Sequence, residues 1–288
     1  MKLTNLSNRK KGIIFITASA FGFAMMSAFV KISGDLPSFQ KTFFRNIVSL
    51  MVAFALISKH RGNFFGQKNN QKTLLLRSIF GTLGILFNFY SIDKLVLSDA
   101  NMLNKLSPFF VIIFSGIFLK EKVNIKQIIA IIIAFIGTLF IIKPSLNLEI
   151  MPAIAGILGG VTAAAAYTCV RSLSGKEHPE TIVFYFSFIS SVITFPLMII
   201  YYENMNIMQL ICLLLAGIFA SLGQFGITLA YKYAPAKEIS IFDYTNIIFS
   251  AIISLCLFGI LPDYLSLIGY VVIFSSSLYM FLYNKDWL

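Results

Sequence analysis

Two charged residues, Lys105 and Asp243, interrupt long apolar runs. An ionised side chain inside a bilayer costs several kcal/mol unless it is paired or hydrated, so such residues mark substrate or ion pathways. Asn101, Asn104, Lys105 and Pro108 fall at i, i+3, i+4 and i+7, the spacing of one helix face. Ser240, Asp243 and Tyr244 repeat the first part of that spacing in the second half of the chain. Lys105 is therefore a candidate to hold an anionic group of a substrate, or to pair with Asp243 when the site is empty. The structural alternative is a permanent pair that only ties two helices together. Arg45 lies about two turns into another apolar run, where it either faces a cavity or snorkels to the interface. Asn88, Tyr90, Tyr167, Gln224 and Thr228 are further polar groups in apolar runs, each a candidate for the cavity lining or for a bond to a neighbouring helix. Asp99 and Glu238 open helices and suit their positive N-terminal ends, a structural role.

Other chemistries find no support. His60 and His178 are the only histidines, both in connections, and there is no HExxH pattern, no nucleophile–base pair within an apolar run and no GxxxxGK[ST] phosphate loop. Cys169, Cys212 and Cys256 have no metal-ligand spacing. An intramembrane enzyme, ATP drive, a metal and a cofactor are therefore not expected.

The elements that position these residues follow from composition. Of 288 residues 58% are hydrophobic and 12% charged, about half the charge of a soluble domain. Apolar runs of spanning length cover 13–32, 39–57, 74–92, 95–119, 125–142, 152–172, 181–201, 207–230, 236–260 and 264–283, with very tight turns at Asp93 and Pro235. The runs are continuous rather than alternating, so they predict ten transmembrane helices and not a barrel.

The net charge of +11 could indicate nucleic acid, an anionic surface or cytoplasmic loops. Its distribution decides. One side collects the N-tail (residues 1–12), Lys59, Arg61, Lys68, Lys72 and Arg77 of the second connection, Lys120, Lys122 and Lys126 of the fourth, Arg171 and Lys176 of the sixth, Lys232 and Lys237 of the eighth, and Lys285. The other side holds Lys31, Lys41, Lys94 and Lys143. Both termini are expected in the cytoplasm, with the chain in a bacterial-type inner membrane and no nucleic-acid partner.

An internal repeat organises the spans. LLLRSIFGTLG (74–84) and LLLAGIFASLG (213–223) share seven identities in eleven at an offset of 139. The same offset sets Asp99 on Glu238, Asn101 on Ser240, Asn104 on Asp243 and Lys105 on Tyr244, and an offset of 140 sets Lys31 on Arg171. The predicted domains are 13–143 and 152–284. Each holds five helices, an odd number, so the second repeat enters the membrane inverted relative to the first. Gly81, Gly84, Gly159 and Gly160 are read as close-packing positions.

LVLSDANMLNKLSPFF with VIIFSGIFLKEKVNIKQIIAIIIAFIGTLFIIKP, FFRNIVSL in the second span and LAYKYAPAKEIS near the eighth connection resemble the EamA-type branch of the drug/metabolite transporter superfamily. The resemblance implies an all-α, ten-helix bundle of two inverted five-helix repeats that moves small metabolites, often by export. One departure is that Glu121 has the apolar Ile260 as its repeat equivalent, with only Asp263 nearby. The first helix has no acidic residue, unlike the small-multidrug mechanism, in which a carboxylate there exchanges protons for cationic drugs.

The expected function is a secondary transporter of a small polar or amphipathic metabolite. A lysine with an aspartate suits a carboxylate and an ammonium together, hence an amino acid or similar molecule. A proton is a candidate coupling ion through Asp243, while oligomeric state is not written in the residues. The alternatives are a passive pore or a membrane scaffold.

Overall fold

The computed structural model describes residues 7–118, 124–142, 150–234 and 239–284. Eleven α-helices account for the apolar runs: α1 (Asn8–Ile32), α2 (Ser38–His60), α3 (Gln71–Lys94), α4 (Leu97–Asn104), α5 (Ser107–Phe118), α6 (Ile125–Ile142), α7 (Ile150–Leu173), α8 (Pro179–Ile200), α9 (Ile207–Tyr233), α10 (Thr245–Phe258) and α11 (Tyr264–Asn284). Seven of the spans are long and apolar enough to cross a membrane on length and composition. With α4–α5 as one broken span, and with the shorter α6 and α10, the total is ten. The turn at Pro235, Glu238 and Glu121 lie outside the described residues.

Helix ends follow from local chemistry. Asn206 and Gln209 form a reciprocal capping box that starts α9. Pro179 at the first turn starts α8, where its missing N–H costs nothing. Gly259, with φ of 65°, ends α10 in the left-handed conformation that a side chain resists.

The solvent pattern is the reverse of a soluble protein. Met51, Phe54, Ile132, Ile193 and Ile252 are each more than a third exposed, whereas Ser19, Gln40, Arg45, Asn46 and Thr194 are fully buried. Apolar side chains meet lipid, and polar ones are withdrawn into the bundle.

Packing pairs the repeats about a two-fold axis. Taking α4–α5 as the fourth span and α10 as the ninth, helix α1 packs on α9 as α3 packs on α7, and α2 on α9 as α3 on α8. Helix α1 likewise packs on α10 as α7 does on α4 and α5, while α2–α8 and α6–α11 lie across the axis. Every such contact joins one repeat to the other, as two inverted repeats require. Repeat-equivalent glycines sit at the two tightest crossings. A Cβ at Gly84 would lie 3.3 Å from the Ala163 backbone, and one at Gly22 only 2.8 Å from the Gly223 backbone. Both pairs serve close packing.

The fourth span is not the single helix that its run predicts. Helix α4 stops at Asn104, and Lys105 takes ψ of 7° as its N–H reaches Met102 O (3.0 Å) as well as Asn101 O (3.1 Å). Pro108 has no N–H to give the Asn104 carbonyl, so the regular ladder fails here. The ninth span carries the matching irregularity, a 3₁₀ segment Ser240–Tyr244 that precedes α10.

Candidate functional site

The two breaks face each other, and their side chains cross-link them. Lys105 Nζ donates to Asp243 Oδ2 at 2.6 Å, with both side chains 9% exposed. Tyr244 Oη donates to the Lys105 carbonyl at 2.9 Å, covering an acceptor that the broken ladder exposes. Gly160 of α7 permits the approach, since a Cβ there would lie 3.1 Å from Asn104 O and 3.2 Å from Leu103 O. Gly159 serves the same contact, a Cβ there falling 3.2 Å from Asn104 Nδ2.

Beside the breaks is a narrow cavity with about 80 Å³ of room for water. Its polar lining comes from both repeats: Arg45, Arg77, Asn88, Asn101, Asn104, Lys105, Tyr167, Gln224 and Asn246. Phe23, Phe89 and Phe186 form an aromatic part of the wall. Asn101 is held by Ser27 Oγ, which donates to its Oδ1 at 3.2 Å, while its own Nδ2 donates to Ser250 at 2.9 Å. Asn246 donates to Ala20 O at 2.7 Å. Asn88 Oδ1 and Asp243 Oδ1 are buried with no hydrogen-bond donor among the described residues.

Arg45 faces this cavity and does not snorkel; it is fully buried. Its Nη1 donates to Asn46 Oδ1, and Asn46 in turn donates to Ser190 at 2.6 Å. Arg77, expected in the second connection with its basic neighbours, instead lies within α3, 2% exposed, on the cavity wall. Arg77 Nη2 donates to Gln224 Oε1 at 2.8 Å, and its guanidinium lies 3.8 Å from the centre of the Phe186 ring, which Arg45 approaches to 5.8 Å. Room for this fold-back comes from Gly81, one turn on, where a Cβ would collide with Arg77 Nη1 and Phe186. That glycine at i+4 from an arginine four residues into an apolar run was the signal in the sequence.

Other predicted residues stand elsewhere. Tyr90, 43% exposed, lies in an outer groove with Phe39, Tyr201 and Tyr202 and does not meet the central cavity. Its turn of α3 presents Phe89 inward and Tyr90 outward. Tyr244 braces the break, Ser240 belongs to the 3₁₀ segment with its side chain outside the described residues, and Thr228 donates within α9 to Gln224 O at 2.7 Å. Tyr167 stacks edge-on against Tyr231 with ring centres 6.4 Å apart. Tyr231 and Thr228 line a separate pocket by the α7–α8 connection, so the two tyrosines stand between that pocket and the central cavity. Asp99 accepts from Tyr270 Oη at 2.6 Å.

Polar bonds hold both ends of the bundle. At the end bearing the α2–α3 connection, Gln67 N and Asn70 Nδ2 donate to Glu177 Oε1 at 2.8 and 2.7 Å. At the opposite end, Gln40 Nε2 donates to Glu203 O at 2.8 Å while Glu203 N donates to Gln40 Oε1 at 3.0 Å. The two-fold exchanges these sets, since each joins a connection of one repeat to a helix start or connection of the other. At that same opposite end, Lys41 is fully buried and pairs with Asp93 at 2.5 Å, and Lys31 Nζ donates to Ile92 O at 3.0 Å.

Two inverted repeats that enclose a polar chamber between broken helices describe a multi-pass membrane transporter of small molecules, not an enzyme. The chain belongs to the EamA-like transporter family, whose model matches it twice, at residues 10–143 and 150–282. It is 32% identical over 267 residues to the pseudopaline exporter of Pseudomonas aeruginosa, covering 92% of this chain and 93% of that one. It is 23% identical over 255 residues to the S-adenosylmethionine uptake transporter of Rickettsia bellii, covering 87% and 86%. A solved crystal structure matches with a TM-score of 0.71 at 12% identity, over 96% of this chain and 99% of that one, and shares the fold.

Proposed function

We propose that the protein exports a small amino-acid-type metabolite across a bacterial inner membrane by alternating access, with both termini in the cytoplasm. The observation that carries this reading is the Lys105–Asp243 pair at two facing helix breaks. The half-helix ends and freed carbonyls at such breaks are the usual construction of a binding site in secondary transporters. A carboxylate of the substrate takes Lys105, its ammonium takes Asp243 through the unoccupied Oδ1, and the internal pair opens as the substrate binds. Binding thus exchanges one buried ion pair for two, which keeps the charges compensated in a medium that penalises single ions. Asn88, Asn101, Asn104, Tyr167 and Gln224 supply hydrogen bonds around that core.

Alternation follows from the end contacts. Releasing the Glu177 set opens the cytoplasmic end while the Gln40–Glu203 set holds, and the reverse opens the outer end. Hydrogen bonds between the repeats at both ends favour alternation over a passive pore. Asp243 is the group placed to carry a coupling proton, because protonation also releases Lys105. Export is supported by the exporter among the relatives at 32% identity, and the basic connections support cytoplasmic termini.

Counterflow in proteoliposomes tests the reading. Unlabelled amino acid trapped inside should drive transient accumulation of the labelled amino acid above equilibrium, and Lys105→Met should abolish it. Passive equilibration without overshoot, or wild-type counterflow in a folded Lys105→Met protein, refutes it.

A further inference from the structure

Three cations line the cavity, Arg45, Arg77 and Lys105, and the one carboxylate tied to them is Asp243, which pairs with Lys105 at its edge. Lys105 has its counterion. The guanidiniums, 0% and 2% exposed, have no carboxylate partner among the described residues. Their bonds go to the amide oxygens of Asn46 and Gln224, their faces to the single Phe186 ring, and the Nε of each has no acceptor. Amide dipoles and a ring quadrupole soften the burial of a cation but supply no charge.

This arrangement belongs to one side of the cavity only. At the repeat position of Arg77 stands Ala216, and at that of Gly81 stands Ala220, so the two-fold does not generate a second guanidinium site. Arg45 and Arg77 come from opposite ends of the membrane, seven residues into α2 and six into α3, and meet at Phe186. Arginine rather than lysine fits an acid group here, since its planar donors grip a carboxylate or phosphate in a two-pronged manner.

Building on the reading that this cavity is the substrate site, we infer that the transported metabolite carries two acid groups, and that Arg45 and Arg77 hold the second one. A neutral zwitterion occupying Lys105 and Asp243 leaves both guanidiniums without a counterion. A molecule with an amine, one acid group near Lys105 and another near Phe186 gives each cation a partner. The second acid is a carboxylate or a phosphate, because both present the oxygens that the two guanidiniums address.

Direct binding to the purified full-length protein in nanodiscs tests this with matched pairs: L-glutamate against L-glutamine for the carboxylate, L-phosphoserine against L-serine for the phosphate. The acidic member of at least one pair should bind roughly tenfold tighter or more. Gln224→Glu keeps the side-chain size and sets a carboxylate beside Arg77 Nη2, so it should cut that preference below about threefold. Arg77→Lys keeps the charge without the fork and should weaken the acid while preserving the sign of the preference. Equal or tighter binding of glutamine and serine, no binding of any of the four, or a preference that survives both Gln224→Glu and Arg77→Gln overturns the inference. Counterflow of neutral amino acids by the wild type, abolished by Lys105→Met, leaves the transport reading standing in each of those cases. Loss of counterflow for every solute overturns both.

Discussion

The Lys105–Asp243 pair can be taken apart in two ways that separate its structural from its transport role. Its atoms are 2.6 Å apart and its side chains 9% exposed. Lys105→Met leaves Asp243 buried without a counterion, and Asp243→Asn does the same to Lys105. Removing one partner of a buried pair costs about 3–5 kcal/mol, whereas replacing both by apolar groups of similar size is neutral or stabilising by about 1–4 kcal/mol. Each single variant should therefore lose stability in a detergent or nanodisc unfolding assay, and Lys105→Met/Asp243→Leu should regain it. The double variant should fold and still fail to transport in counterflow, because a well-packed Met–Leu contact offers no site for a carboxylate or an ammonium. If the single variants lose less than about 1 kcal/mol, the pair behaves as a hydrated surface pair and the buried geometry is wrong. If the double variant transports at the wild-type rate, the pair is mere helix glue and its place in the site is refuted.

Gly160→Ala should destabilise by about 1–3 kcal/mol in the same unfolding assay, since its Cβ meets backbone carbonyls at the break rather than a movable side chain; an unchanged protein contradicts the close approach. Tyr244→Phe, which leaves the Lys105 carbonyl without its donor, should cost about 1–3 kcal/mol with no change in cavity shape. Glu177→Gln should loosen the end bearing the α2–α3 connection and Gln40→Ala the opposite end, read as faster thiol labelling of cavity cysteines from one face or the other; identical labelling from both faces in both variants speaks against alternation. A cysteine placed at Ser174 in a background without Cys169, Cys212 and Cys256 should react with a membrane-impermeant reagent only from the cytoplasmic face, and one at Asn206 only from outside; the reverse pattern inverts the topology.

Part of the polar interior is legible in the sequence. Lys105 and Asp243 are ions inside apolar runs, and the 139-residue offset sets Asn104 on Asp243 and Lys105 on Tyr244; of these, Lys105 meets both Asp243 and Tyr244 at the breaks. Pro108 reads in the sequence as part of one helix face, whereas the two-helix division of the fourth span and the 3₁₀ entry to α10 are seen only in the structure. Arg77 was missed because a basic residue near the end of a run, preceded by Lys68 and Lys72, reads as the edge of a loop. Tyr90 reads as a candidate for the lining or for a helix–helix bond because polarity in a span says nothing of direction, and Phe89 beside it is the residue that turns inward.

Hydropathy and an internal offset thus determine the number of spans and the inversion of one repeat against the other. These are one-dimensional properties, set by bilayer thickness and by the cost of moving a charge across it. Tertiary structure decides which face looks inward in the helices that lack a polar stripe like that of Asn101, Asn104 and Lys105. There the surface is apolar nearly all round, and small residues at crossings such as Gly84 and Gly160 choose the facing surfaces. Packing is what brings Arg77 to Gln224 across 147 residues of chain and sets both guanidiniums on the Phe186 ring.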